Sequence, residues 1–122
     1  MSQTMLFVCP HGAGKSRMAA AFFNAVAPSG WHATTAGQEP AVAVSPHAVR
    51  LLAEDPVATL LDHDSPRPIT AVVSPARIVA IDCTVPGAER WDLHHQEVGS
   101  AMRDALRERA EALARELERA SH

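Results

Sequence analysis

At 122 residues with 47% apolar side chains, the chain has the length of one domain over 1–122 and enough apolar content to bury a core without disulfide or metal staples. Eleven Lys and Arg against fourteen Asp and Glu leave a net charge of −3 with no basic run, which argues against nucleic acid as a partner. No apolar stretch approaches the roughly 20 residues of a membrane span, so no membrane association is expected.

Met1-Ser2-Gln3-Thr4-Met5 carries no lysine or arginine and leads straight into Leu6-Phe7-Val8. It reads as the start of a strand and not as a signal peptide, which makes the cytoplasm the expected location. Leu6 to Cys9 is a short apolar run ended by Pro10 and glycines, and Met18 to Phe23 then changes to helix-forming composition. Pro28-Ser29-Gly30 stops that helix, and Trp31 to Thr35 has the residue types of a second strand. A β-α-β unit of this kind implies a parallel pair. Ser45-Pro46 is a helix start, with Ser in N-cap position and Pro at the first helical residue, and that helix should end near Glu54-Asp55-Pro56. Val57 to Leu61 fits either a helical extension or a short strand, and Asp62 to Pro68 reads as a loop. Arg77 to Asp82 is a continuous apolar run with a polar end, as in a strand buried on both faces beside the first one. From Glu97 to Ala120 apolar residues recur at Val98, Met102, Leu106, Leu113 and Leu117, which predicts one long amphipathic helix. Its arginines, Arg103, Arg107, Arg109, Arg115 and Arg119, read most simply as a solvated face. Strands alternating with helices predict an α/β fold with a single open parallel four-stranded sheet flanked by helices, and ligands of such sheets bind at the carboxyl ends of the strands.

The loop after the first strand, Cys9-Pro10-His11-Gly12-Ala13-Gly14-Lys15-Ser16, has small residues that let successive N–H groups turn inward, with a helix N-terminus behind them. That is the recipe for holding a tetrahedral oxyanion. Lys15 is the only lysine in the chain, every other basic residue being arginine. One reading is a nucleotide P-loop, matched at Gly14-Lys15-Ser16 but carrying Cys9 where its first glycine should stand. The other gives the thiol a task. A cysteine at the mouth of an anion site, facing a helix N-terminus and a cation, is set up as a thiolate nucleophile.

Val8-Cys9-Pro10-His11-Gly12-Ala13-Gly14-Lys15-Ser16-Arg17-Met18-Ala19 resembles the V-C-x-x-N-x-x-R-S of the low-molecular-weight protein tyrosine phosphatases and the C-x-H-N-A-G-R-S-x-M-A of the arsenate reductases that share their fold. Thr34-Thr35-Ala36-Gly37-Gln38-Glu39-Pro40, Ser45-Pro46-His47-Ala48-Val49, Asp64-Ser65-Pro66-Arg67-Pro68 and Trp91-Asp92-Leu93 resemble, in order, the family's S-A-G-x-x-P, its n-P-x-A-v helix start, its h-x-S-r-x-l loop and its W-x-L. The resemblance implies that Cys9 is the nucleophile, that Ser16 hydrogen-bonds its thiolate, and that the loop from Pro10 to Ser16 with Lys15 binds phosphate, arsenate or a phosphorylated substrate. Two loop positions and one later stretch depart from the pattern: Lys15 replaces the clamping arginine, Gly12 the bracing asparagine, and His94-His95-Gln96 the P-D-P region that carries the acid. His95, with an ordinary pKa of ~6.5, is then the candidate proton donor, with Asp92 as its alternative. For arsenate reduction the resemblance implies a second thiol, Cys83, with thioredoxin or a small thiol completing the cycle. A non-catalytic oxyanion binder is the reading from another class.

Plainer readings stand beside these. Cys9 and Cys83 also fit as small buried hydrophobes, and Ser16 as a helix cap. The spacing of His94, His95 and Cys83 fits no familiar metal site, so neither a metal nor another cofactor is expected.

Overall fold

The computed structural model describes residues 2–93 and 99–120. Seven regular elements follow in chain order: β1 (Gln3–Cys9), α1 (Lys15–Val26), β2 (Trp31–Gly37), α2 (Pro46–Leu52), β3 (Arg77–Ile81), β4 (Glu89–Trp91) and α3 (Ser100–Ala120). The strands form one four-stranded sheet in the order β2-β1-β3-β4, and every pairing is parallel. The expected α/β class and parallel sheet are therefore present.

β1 lies inside the sheet, and its residues Met5 to Cys9 are buried without interruption, as both faces of a central parallel strand must be. Alternation along it divides the core. Met5, Phe7 and Cys9 join the larger cluster with residues of all three α-helices, whereas Leu6 and Val8 join Ala36, Ala80 and Cys83 on the other face. That second face is covered mainly by Ile69, Val72, Val85 and Ala88, residues of turns and connections. α1 is buried at eight successive positions from Ser16 to Phe23, the signature of a helix enclosed on all sides. Phe7 meets Phe23 edge-on at 6.0 Å and Trp91 at 5.6 Å, which ties the central strand to α1 and to the edge strand β4. The opposite edge, β2, is closed by Asn24, whose side chain donates to the Ala33 carbonyl and accepts from the Ala33 N–H.

Several boundaries differ from expectation. β2 runs on to Gly37, because pairing with β1 continues to Cys9. α2 starts at the Ser45 cap as expected but stops at Leu52, and Pro56–Leu60 is a 3₁₀ turn started by Asp55, whose side chain accepts from the Val57 N–H. The N-cap of α1 is Gly14, so Ser16 lies inside the helix and is not its cap. Of the arginines of α3, Arg115 and Arg119 are exposed as expected, but three others are not simply solvated. Arg107 pairs with Asp55 and lies 4.7 Å over the Phe22 ring, Arg109 lies 5.9 Å over Trp91, and Arg103 reaches the Leu51 carbonyl.

Candidate functional site

From β1 the chain passes to one side to form β2 and later to the other to form β3, so the carboxyl end of β1 lies at the point where the strand order switches direction. Open α/β sheets offer a crevice there. Cys9 ends β1 and is 4% exposed, and the loop from Pro10 to Gly14 carries the chain into α1.

The loop's carbonyls are used on its outer side. Those of Cys9, Pro10, His11 and Ala13 accept from the N–H groups of Gln38, Glu39, Ala41 and Ser45 at 2.8–3.3 Å, so the connection after β2 forms a seam along the loop. The Gly12 carbonyl accepts from Arg17 Nε at 2.9 Å, and the Gly14 carbonyl starts the helix by accepting from Met18. In a trans peptide the N–H points opposite to its carbonyl. With the carbonyls committed outward, the N–H groups of His11 to Lys15 turn to the inside, and none has a backbone acceptor among the described residues. This is a concave row of donors at a helix N-terminus, suited to an anion.

Two glycines allow the seam. Gly12 has φ +62°, and a Cβ there would stand 2.6 Å from the Gly37 nitrogen, while a Cβ on Gly37 would stand 2.5 Å from the His11 carbonyl carbon. The two backbones touch, which accounts for glycine where the resemblance leads one to expect asparagine.

Cys9 Sγ lies 3.2 Å from Ser16 Oγ, a hydroxyl that donates to the sulfur when the cysteine is a thiolate. Beside them is a cavity of about 290 Å³ lined by Cys9, Pro10, His11, Ala13, Gly14, Lys15 and Met18 and, from the α2 start, Ser45, His47 and Ala48. The structure thus brings Cys9, Lys15, Ser16 and the loop residues Pro10 to Gly14 together. Ser45 and His47 are lining residues that sequence reasoning treated only as a helix start.

Lys15 does not stand free. Its ammonium donates to Asp82 Oδ2 at 2.5 Å, and Asp82 Oδ1 accepts the Leu93 N–H at 2.6 Å. Asp82 is 6% exposed and adopts φ +55°, just beyond β3. One carboxylate therefore links the loop cation to the chain segment that leads toward His94. His94 and His95 lie outside the described residues. Asp92 is half-exposed and accepts from Arg90 Nε at 2.6 Å.

Cys83 is buried in the smaller cluster, on the face of the sheet opposite to that of Cys9, and its Sγ lies 3.6 Å from the Val8 carbonyl. Both cysteines are free thiols. Burial, followed by the charge of Cys9, pushes the Cys83 thiol above its ordinary pKa.

No protein-family model matches the chain, and no curated protein matches it. Among solved structures, an arsenate reductase from Archaeoglobus fulgidus is 31% identical over 90% of this chain and 98% of its own, with a TM-score of 0.71. A thioredoxin-dependent arsenate reductase from Corynebacterium glutamicum is 22% identical over 98% of this chain and 63% of its own, with a TM-score of 0.80. A low-molecular-weight protein tyrosine phosphatase from T. tengcongensis is 17% identical over 94% of this chain and 99% of its own, with a TM-score of 0.72. The last two share the fold.

Proposed function

The chain belongs to the superfamily of arsenate reductases and low-molecular-weight protein tyrosine phosphatases, and from that premise we propose that it is a thiol-based hydrolase of phosphate monoesters. The observation that carries this reading is the Cys9 sulfur, 3.2 Å from the Ser16 hydroxyl at the base of a loop whose carbonyls all face away. A binder of oxyanions needs the donors but has no use for the thiol.

In this reading the phosphoryl oxygens take hydrogen bonds from the N–H groups of His11 to Lys15, and Cys9 attacks phosphorus in line as a thiolate. The S–P bond forms, the P–O ester bond breaks, and the leaving oxygen takes a proton from His95, since Asp92 is engaged by Arg90. Water then attacks phosphorus and gives a proton back to His95, the S–P bond breaks, and thiolate and inorganic phosphate are released. Lysine supplies charge at the loop without the planar fork of an arginine, so the amides carry more of the transition-state recognition. Activated esters with acidic leaving groups are the preferred substrates.

Arsenate reduction is the second reading, favoured by the 31% identity to the A. fulgidus arsenate reductase. Cys9 attacks arsenic and an arsenate oxygen leaves as water; a second thiol then attacks the Cys9 sulfur, the S–As bond breaks with its electron pair going to arsenic, and arsenite and a disulfide are left. Because Cys83 sits on the other face of the sheet, a small thiol or thioredoxin is the more direct second partner.

A pH series with an activated aryl phosphate, and with arsenate plus a thiol reductant, tests both. Turnover lost in Cys9→Ser supports the hydrolase, and arsenite release supports the reductase. Phosphate binding with no turnover of either substrate would refute both in favour of a binder.

A further inference from the structure

Among the described residues Arg17 has the largest fully buried side chain, with 0% of it exposed, and burying a guanidinium carries a desolvation cost that only well-placed partners offset. Its Nε donates to the Gly12 carbonyl at 2.9 Å, and Nη1 donates to the Asp62 carbonyl at 2.7 Å and faces Asp62 Oδ1 at 3.5 Å. Nη2 is buried with no hydrogen-bond partner among the described residues. Asp62 is held in turn by Arg67 Nη2 at 2.9 Å, and Arg67 Nη1 reaches the Thr35 carbonyl at the end of β2. The chain Gly12–Arg17–Asp62–Arg67–Thr35 thus runs behind the anion loop, outside the cavity.

We propose that Arg17 is the positioning residue of the oxyanion site, through its grip on the Gly12 carbonyl. Gly12 is the left-handed residue of the loop and has no side chain with which to brace it. Its carbonyl is also the one loop carbonyl held by a side chain rather than by the 38–45 seam or the helix. Fixing that oxygen on the outside fixes the Ala13 N–H on the inside. The guanidinium also places a permanent positive charge behind the row of donors. Burial works most strongly against the Arg17 charge and the neighbouring Arg67 opposes it too, so the ion pair with Asp62 is what keeps the guanidinium charged in its place. Asp62 and Arg67 set the guanidinium in place.

This inference rests on the reading that the loop binds oxyanions, and the experiment separates the two. Inorganic phosphate binding is measured by calorimetry, together with the rate of Cys9 alkylation by iodoacetamide, in the wild type, Arg17→Met, Arg17→Lys and Asp62→Asn, each checked for native circular dichroism. Arg17→Met is expected to weaken phosphate about tenfold and to slow alkylation, as loss of one charge-assisted hydrogen bond would. Arg17→Lys should restore part of both. Asp62→Asn, a change at a partly exposed side chain, should weaken phosphate a few-fold and decides the matter if Arg17→Met does not fold. Wild-type protein that binds no phosphate overturns the function proposed above. Wild-type binding that is matched by the folded Arg17 variants, or by Asp62→Asn where Arg17→Met does not fold, overturns the positioning role alone.

Discussion

The Lys15–Asp82 pair offers a quantitative test, because it places the only lysine of the anion loop in competition between a carboxylate and a ligand. At an effective dielectric of 20, unit charges about 4 Å apart attract by about 4 kcal/mol. Lys15 is 24% exposed and Asp82 6%, so solvent screening and the desolvation of Asp82 offset most of that attraction and leave a net of about 1–2 kcal/mol. Asp82→Asn is the appropriate perturbation. Asparagine tolerates the left-handed backbone at this position, and its amide oxygen can still accept the Leu93 N–H. The variant should lose about 1–2 kcal/mol of folding stability through the broken pair. It should also bind phosphate about three- to tenfold more tightly, because the Lys15 charge is no longer neutralised where the ligand sits. Calorimetry at low ionic strength reads the affinity, and urea unfolding in the same buffer reads the stability. The affinity gain should shrink as salt is raised. A folded variant with phosphate affinity unchanged or reduced would refute the reasoning, since it would mean that the Lys15 charge does not act on the site.

Three further outcomes follow from named contacts. Gly12→Ala should cost at least about 2 kcal/mol in chemical denaturation, because the added Cβ meets the Gly37 backbone at 2.6 Å and the residue must keep φ +62°. Burial raises the Asp62 carboxyl, but its hydrogen bonds from Arg67 and the Asp64 amide and the charge of Arg17 outweigh this and hold it below the ordinary range. A carboxyl depressed in the folded state contributes stability above its unfolded pKa of about 3.9 and loses it as pH falls through the folded value. Acid unfolding of Asp62→Asn should therefore be less steep than that of the wild type below about pH 4, as followed by circular dichroism. Finally, mass spectrometry after brief iodoacetamide treatment at neutral pH should find Cys83 modified more slowly than Cys9, since Cys9 lines the cavity whereas Cys83 does not and its thiol is raised in pKa.

Much of the frame was legible in the sequence because it rests on local signals. The apolar run into Cys9, the glycine loop, the Ser45-Pro46 cap and the buried run of β3 each stand where their residues predicted. β4 was not legible at its position, because Glu89-Arg90-Trp91 is a three-residue edge strand with no room for a periodic pattern. The site divides in the same way. Cys9, the loop and Ser16 are contiguous in sequence and were read together. Asp82 as the partner of Lys15 and Arg67 as a support of Asp62 depend on pairings that the sheet creates across 67 residues and across a loop. The burial of Arg17 carries no local sequence signal: an arginine on a helix is ordinarily in solvent, and only the enclosure of α1 on all sides turns it inward beneath the loop.

The seam between residues 9–13 and residues 38–45 leaves a signature in amide exchange. A buried loop ordinarily protects its amides, yet here the protected amides belong to the opposite strand of the seam, at Gln38, Glu39, Ala41 and Ser45. The amides of His11 to Lys15, which have no backbone acceptor among the described residues, should take up deuterium early, even at the buried positions Gly12 and Ala13. A tetrahedral anion seated in the loop would supply the acceptors those amides lack and slow their exchange while leaving the seam unchanged. Occupancy of the loop can thus be followed residue by residue with no chemical turnover at all.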